Sequence, residues 1–137
     1  YRQYDCWIGD WVVKDSSGKI QGYNKIFPIL DGCALSENWK SVGGNPGVSY
    51  NFYDKAKGQW HQTWVDNSGG TLYLDGGLKD GVMVLSSSNT NQQGQVVIQK
   101  ISWTPFKDGQ VKQHWQSSND NGKTWTDVFL GFYQKKT

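Results

Sequence analysis

Three short segments share one spacing of chemically useful side chains: Glu37-Asn38-Trp39, Gln62-Thr63-Trp64 and Gln113-His114-Trp115. In an extended strand, residues i and i+2 point to the same face. Each segment therefore sets a carboxylate or an amide beside an indole ring. Burying such a polar group unpaired costs about 2–7 kcal/mol on transfer scales, so a dry structural face is a poor home for it. A cavity explains all three: rings stack on a guest and polar groups orient it. The pattern predicts a wall built from Glu37, Trp39, Gln62, Trp64, Gln113 and Trp115, with Tyr73, Phe129 and Tyr133 as further members. A one-residue slip in register would reverse each strand's assignment.

Glu37 is the one carboxylate inside a segment of this kind. Flanked by Leu35 and Trp39 on its face, it would be desolvated and its pKa pushed up, as in general acids and bases that work near neutral pH. Asp127 alternates with Trp125, Phe129 and Tyr133 and is a second carboxylate candidate. If both point inward, Glu37 and Asp127 form an acid/base pair with Tyr133 nearby. The competing reading holds Glu37 in a structural network with Gln62 or Gln113. Two functions follow: a module that binds a small organic molecule, or a cofactor-independent lyase, isomerase or hydrolase. The binding reading is favoured, because the chain carries no nucleophile elbow, phosphate loop or zinc-ligand spacing. Leucine in place of Gln62 or Gln113 separates hydrated cavity amides, which tolerate the change, from amides that brace buried partners.

The two histidines, His61 and His114, each adjoin a segment residue and so face the opposite way. A haem or a metal would need them inside, so no cofactor and no metal site is expected.

Gly, Asp, Asn and Ser cut the chain into ten extended runs: 6–14, 19–29, 33–42, 48–54, 59–66, 70–77, 81–87, 95–104, 110–118 and 124–134. Most breaks are of hairpin length, so consecutive strands should pair antiparallel. No window shows a helical period. The polar stretch from Ser86 to Gln95 is expected to be a mobile loop. Meandering strands of this kind close into a barrel or stack as a sandwich, and closure removes exposed edges. A barrel of eight or more strands also leaves room for one ligand. The expected fold is therefore a single all-β domain over 1–137, an antiparallel up-and-down barrel of about eight to ten strands with a central cavity.

Composition agrees: 8 Trp, 7 Tyr and 17 Gly against a single Met suit sheets joined by tight turns. With 14 basic and 12 acidic residues and no clustered basic face, a nucleic-acid partner is not expected. No apolar run is long enough to span a membrane. The partner expected is a small molecule, and the oligomeric state stays open. Cys6 and Cys33 suit one disulfide in an oxidising compartment or two buried thiols in a reducing one. Met83 is the only methionine, so a removed secretory segment before Tyr1 is one explanation of the starting residue.

Two motifs carry structure. Trp7-Ile8-Gly9-Asp10-Trp11 contains Gly-x-Trp on the first strand, as lipocalin-like barrels do, with Trp11 expected to plug one end. Ser118-Asn119-Asp120-Asn121-Gly122-Lys123-Thr124-Trp125 matches the Asp-box hairpin, in which Asp120 bonds turn amides and Gly122 takes a positive φ. Together with Leu30-Asp31-Gly32-Cys33, Asn51-Phe52-Tyr53-Asp54, Trp60 to Asp66 and Gly131-Phe132-Tyr133, these motifs span nearly the whole chain. The set resembles a bacterial family of unknown function with a lipocalin-like (calycin) barrel and frequent secretory signals. That resemblance implies the barrel and a secreted or periplasmic location, and it supplies no activity. Nitrobindin-like ten-stranded barrels share the general shape and bind haem, but this chain offers no clear inward histidine for one.

Overall fold

A computed structural model of the chain describes residues 2–136. Ten strands follow one another: β1 (Gly9–Lys14), β2 (Ile20–Ile29), β3 (Ala34–Ser41), β4 (Pro46–Asp54), β5 (Gln59–Asp66), β6 (Thr71–Lys79), β7 (Val82–Thr90), β8 (Val96–Pro105), β9 (Val111–Ser118) and β10 (Thr126–Lys135). Each pairs antiparallel with its neighbours in the chain, and β1 pairs with β10 to close the sheet. The fold is the expected up-and-down barrel, consistent with a lipocalin-like one. Its only helical pieces among the described residues are 3-10 turns at Asp5–Trp7 and Leu30–Gly32.

The hairpin turns are built by aspartates that take over backbone donors. Asp66 Oδ1 accepts from the amides of Ser68 and Gly70 at 3.0 Å each, and Asp15 Oδ1 does the same for Ser17 and Lys19. In the Asp-box, Asp120 Oδ1 accepts the Thr124 amide at 2.8 Å while Ser118 Oγ accepts the Gly122 amide at 2.9 Å. Gly122 sits at φ +87°, where a side chain would be strained. The Thr124 hydroxyl first, then the Thr124 amide and the Ser118 hydroxyl, donate to the Asp120 carboxyl and hold it low, at a pKa of about 2.

Odd-numbered strands run from one barrel end to the other, so the connections after β1, β3, β5, β7 and β9 gather at a single end. The opposite end is sealed. There the 3-10 turn at Asp5–Trp7 replaces the start of the first expected strand and drives Tyr4 and Trp7 into the barrel. Tyr4 stacks on Trp7 at 5.2 Å between ring centroids, and both meet Trp103 at 5.1 and 5.3 Å. Trp11 is fully buried and donates its indole N–H to the Trp7 carbonyl at 2.9 Å. Lys135 Nζ lies 4.2 Å from the Trp11 ring centroid and also bonds the Ile8 carbonyl. A Cβ at position 9 would come within 2.3 Å of that ammonium, which is the close approach that the glycine of Gly-x-Trp permits. Trp11 is thus part of the plug, as expected.

Two expectations need correction. Of the loop expected over Ser86 to Gln95, only Asn91 to Gln95 forms the turn: β7 continues to Thr90, although beyond Ser86 it pairs only with β8. Across from it, Thr71 to Leu74 of β6 pair only with β5. The two strands part there and leave a slot lined by Tyr73, Ser87, Ser88 and Asn89. The cysteines meet neither expectation, because Cys6 and Cys33 are both unpaired and both exposed. No helix among the described residues is long and apolar enough to cross a membrane.

Candidate functional site

Between the plug and the open end lies a cavity of about 190 Å³. Each of the three segments contributes in the same way, its polar residue deep and its tryptophan toward the mouth. Glu37, Gln62 and Gln113 are buried, whereas Trp39, Trp64 and Trp115 are half-buried. Ile101 and Tyr133 complete the floor, and Leu72, Val128 and Phe129 the rim. The structure thus brings together all six residues of the repeated segments, with Phe129 and Tyr133.

Glycines make room for the rim rings. A Cβ on Gly47, the β4 residue between Trp39 and Asp66 in register, would lie 2.2 Å from the Trp64 ring. A Cβ on Gly22 would lie 2.6 Å from the Trp39 ring. Each indole therefore lies against bare backbone and keeps its other side for the cavity. Trp39 and Phe129 meet edge to face at 5.7 Å.

The floor is a continuous hydrogen-bonded chain. Glu37 Oε1 accepts the Ser49 hydroxyl at 2.6 Å, and Oε2 accepts Asn24 Nδ2 at 2.8 Å. Asn51 Nδ2 donates to Ser49 Oγ, and Gln62 Nε2 to Asn51 Oδ1, both at 2.8 Å. On the other side Asn24 Nδ2 also donates to the Tyr133 hydroxyl at 2.8 Å, which in turn donates to Gln113 Oε1 at 2.6 Å. Burial pushes the Glu37 carboxyl above its ordinary value, and the bonds from Ser49 and Asn24 partly oppose that. Burial first, then the charge of Glu37, raises the Tyr133 and Tyr4 phenols well above theirs, so both stay neutral.

Asn24, Ser49 and Asn51 went unremarked in the sequence, since one small polar residue in a strand reads like any outward-facing one. Only the inward parity of Asn24 was available, since it shares a face with Ile26; on β4 the apolar Val48 and Tyr50 face outward, so alternation there points the wrong way for Ser49 and Asn51.

Two predicted residues lie elsewhere. Tyr73 pairs in register with Thr63 and faces outward, 57% exposed; its neighbours Leu72 and Leu74 take the interior positions instead. Asp127 is also on the outer surface, its side chain 62% exposed and 2.7 Å from His114 Nε2. The cause is a bulge: Asp127 pairs with Gln116 but Phe129 with Trp115, so Val128 is an extra residue that reverses the parity. The Glu37–Asp127 acid/base pair therefore does not form. His61 faces outward as well, bonded to Asp75 and Thr63.

No protein-family model matches the chain, and no curated protein matches it.

Proposed function

We propose that the protein is a small-molecule-binding barrel whose guest, a partly aromatic and partly polar organic molecule, sits in the cavity between the tryptophan rim and the amide floor. The observation that carries this reading is the paired depth of a polar group (one carboxylate and two amides) and an indole on three strands around one opening. An apolar cavity of about 150 Å³ accepts benzene, so about 190 Å³ suits a molecule of one or two rings.

An enzyme using Glu37 as acid or base is the second reading, and the raised carboxyl speaks for it. Against it, both carboxylate oxygens already accept protein donors, and the second carboxylate faces away. Proton transfer to a guest would have to break the network first. The binding reading keeps it whole.

Native mass spectrometry of gently purified protein tests the proposal. A retained small molecule, lost on Trp64→Ala with folding intact, is the expected result. A barrel that emerges empty and whose tryptophan fluorescence answers to no one- or two-ring compound would overturn it. Export from the cytoplasm is a further proposal, resting on the motif resemblance; recovery of the native protein in the cytosolic fraction would sink it.

A further inference from the structure

The hydrogen bonds of the floor all run toward or away from Glu37 in a fixed sense. An ionised carboxylate only accepts. Ser49 must therefore spend its proton on Glu37 and can only accept from Asn51. That turns Asn51 Oδ1 to Gln62, which must donate, so Gln62 Oε1 is left without a partner among the described residues. On the other arm Asn24 spends both Nδ2 protons, on Glu37 and Tyr133, and Tyr133 donates to Gln113 Oε1. This leaves Gln113 Nε2 free among the described residues. The sealed polar atoms lacking partners among the described residues are Tyr4 Oη, Trp7 Nε1, Asn24 Oδ1 and Trp103 Nε1. The two free glutamine atoms are not among them, so both reach the cavity that their residues line.

One end of the chain thus offers an acceptor and the other a donor. The acceptor stands on β5 and the donor on β9, four strands apart around a ring of ten, so they face each other across the barrel. Among the described residues, no Lys, Arg or His lines the cavity to receive an anion.

We propose that the guest is an uncharged, planar aromatic molecule with a hydrogen-bond donor at one end and an acceptor at the other, of the hydroxyaryl ketone or aldehyde class. Its hydroxyl donates to Gln62 Oε1, its carbonyl accepts from Gln113 Nε2, and its ring lies across the floor beneath the rim indoles. Glu37 is a positioning residue: its charge sets which amide atom each glutamine presents. This rests on the binding reading above and names the class of guest.

In Glu37→Gln the new amide can donate to Ser49 with little movement, because a hydroxyl rotates freely. The Asn51 and Gln62 amides then turn over, and Gln62 shows its N–H₂ to the cavity. The variant should prefer a guest with acceptors at both ends.

Tryptophan fluorescence titrations at neutral pH, below the ionisation of the carbonyl-activated phenol, test this with 4-hydroxyacetophenone, 4-methoxyacetophenone, tyramine and 4-hydroxybenzoate, and with naphthalene as an apolar control. The wild type should bind the hydroxy ketone about tenfold or more tighter than the methoxy ketone, the amine or the acid. Glu37→Gln should lose or invert the hydroxy-over-methoxy preference. Gln62→Met, a second variant that removes the acceptor outright, should lose it as well. Equal binding of the hydroxy and methoxy ketones by the wild type would overturn the inference, as would tighter binding of the amine or an unaltered preference in a folded Glu37→Gln. If naphthalene alone binds, the donor–acceptor assignment falls while the binding reading stands. If nothing binds, naphthalene included, both fall.

Discussion

Glu37 is a carboxylate only 3% exposed, and among the described residues no cationic side chain lines its cavity. Its linkage to pH has a definite sign. The folded-state pKa lies above the ordinary 4.5, so between the two values the folded chain holds the extra proton. Stability from this group therefore falls as pH rises through that window. Below the window both states are protonated and there is no penalty. The titratable groups facing it, Tyr4 and Tyr133, stay neutral there. Glu37→Gln removes the effect, so its melting temperature relative to wild type should climb across the window and then level off. A difference that stays constant from about pH 4 to 8 would refute a raised carboxyl. The glutamines behave differently. Each uses one amide end inside the network and leaves the other to the cavity, so the bracing and guest-facing roles coexist. Gln62→Leu strands Asn51 Oδ1 and Gln113→Leu strands the Tyr133 hydroxyl, each at a cost of about 1–3 kcal/mol in chemical denaturation. Unchanged stability in both would mean the network is not held as described.

Legibility divided along the elements. Alternation located the polar floor and the indole rim because β3, β5 and β9 run regularly through their segments, where period 2 is reliable. It failed on β10, where nothing in Asp127-Val128-Phe129 announces an extra residue; a bulge is settled by what the partner strand opposes to it. Tyr73 failed for another reason. Leu72 and Leu74, the apolar pair of that alternation, hold the inner face of β6, which leaves Tyr73 outside. Beyond Ser49 and Asn51, the contribution of β4 to the rim was invisible because it lies in a glycine. Gly47→Ala should push the Trp64 ring off the wall, destabilising the barrel by about 1–3 kcal/mol as overpacking does. Fluorescence of the displaced indole should shift with it, and wild-type stability and spectrum would show that the ring has other room.

At the scale of the molecule, nine of the ten strand pairings join chain neighbours, and only β1 with β10 links distant segments. Local hairpins were therefore readable from turn residues alone, whereas closure had to be argued from edges left over. The plug was legible in part. Trp11 carried a motif, but the turn that carries Tyr4 and Trp7 inside has the look of a strand's beginning. Trp7→Ala would remove a ring packed against Tyr4 and Trp103, with an expected loss of about 3–5 kcal/mol. A melt that barely moves would show the sealed end to be dispensable to the fold.

The parting of β6 from β7 has a consequence for how the molecule meets its own copies. A closed barrel offers nothing for a foreign strand to pair with, except where its wall is unzipped. Here Thr71 to Leu74 and Ser87 to Thr90 each leave one side of their backbone unmatched. Serine and asparagine at 87–89 are poor strand formers, and they keep that stretch hydrated. Replacing Ser87, Ser88 and Asn89 together by valine should turn the slot into a sticky template. The variant is expected to elongate into oligomers visible by light scattering at concentrations where the wild type shows none, and a triple variant that scatters no more than the wild type would show the gap too narrow to admit another strand.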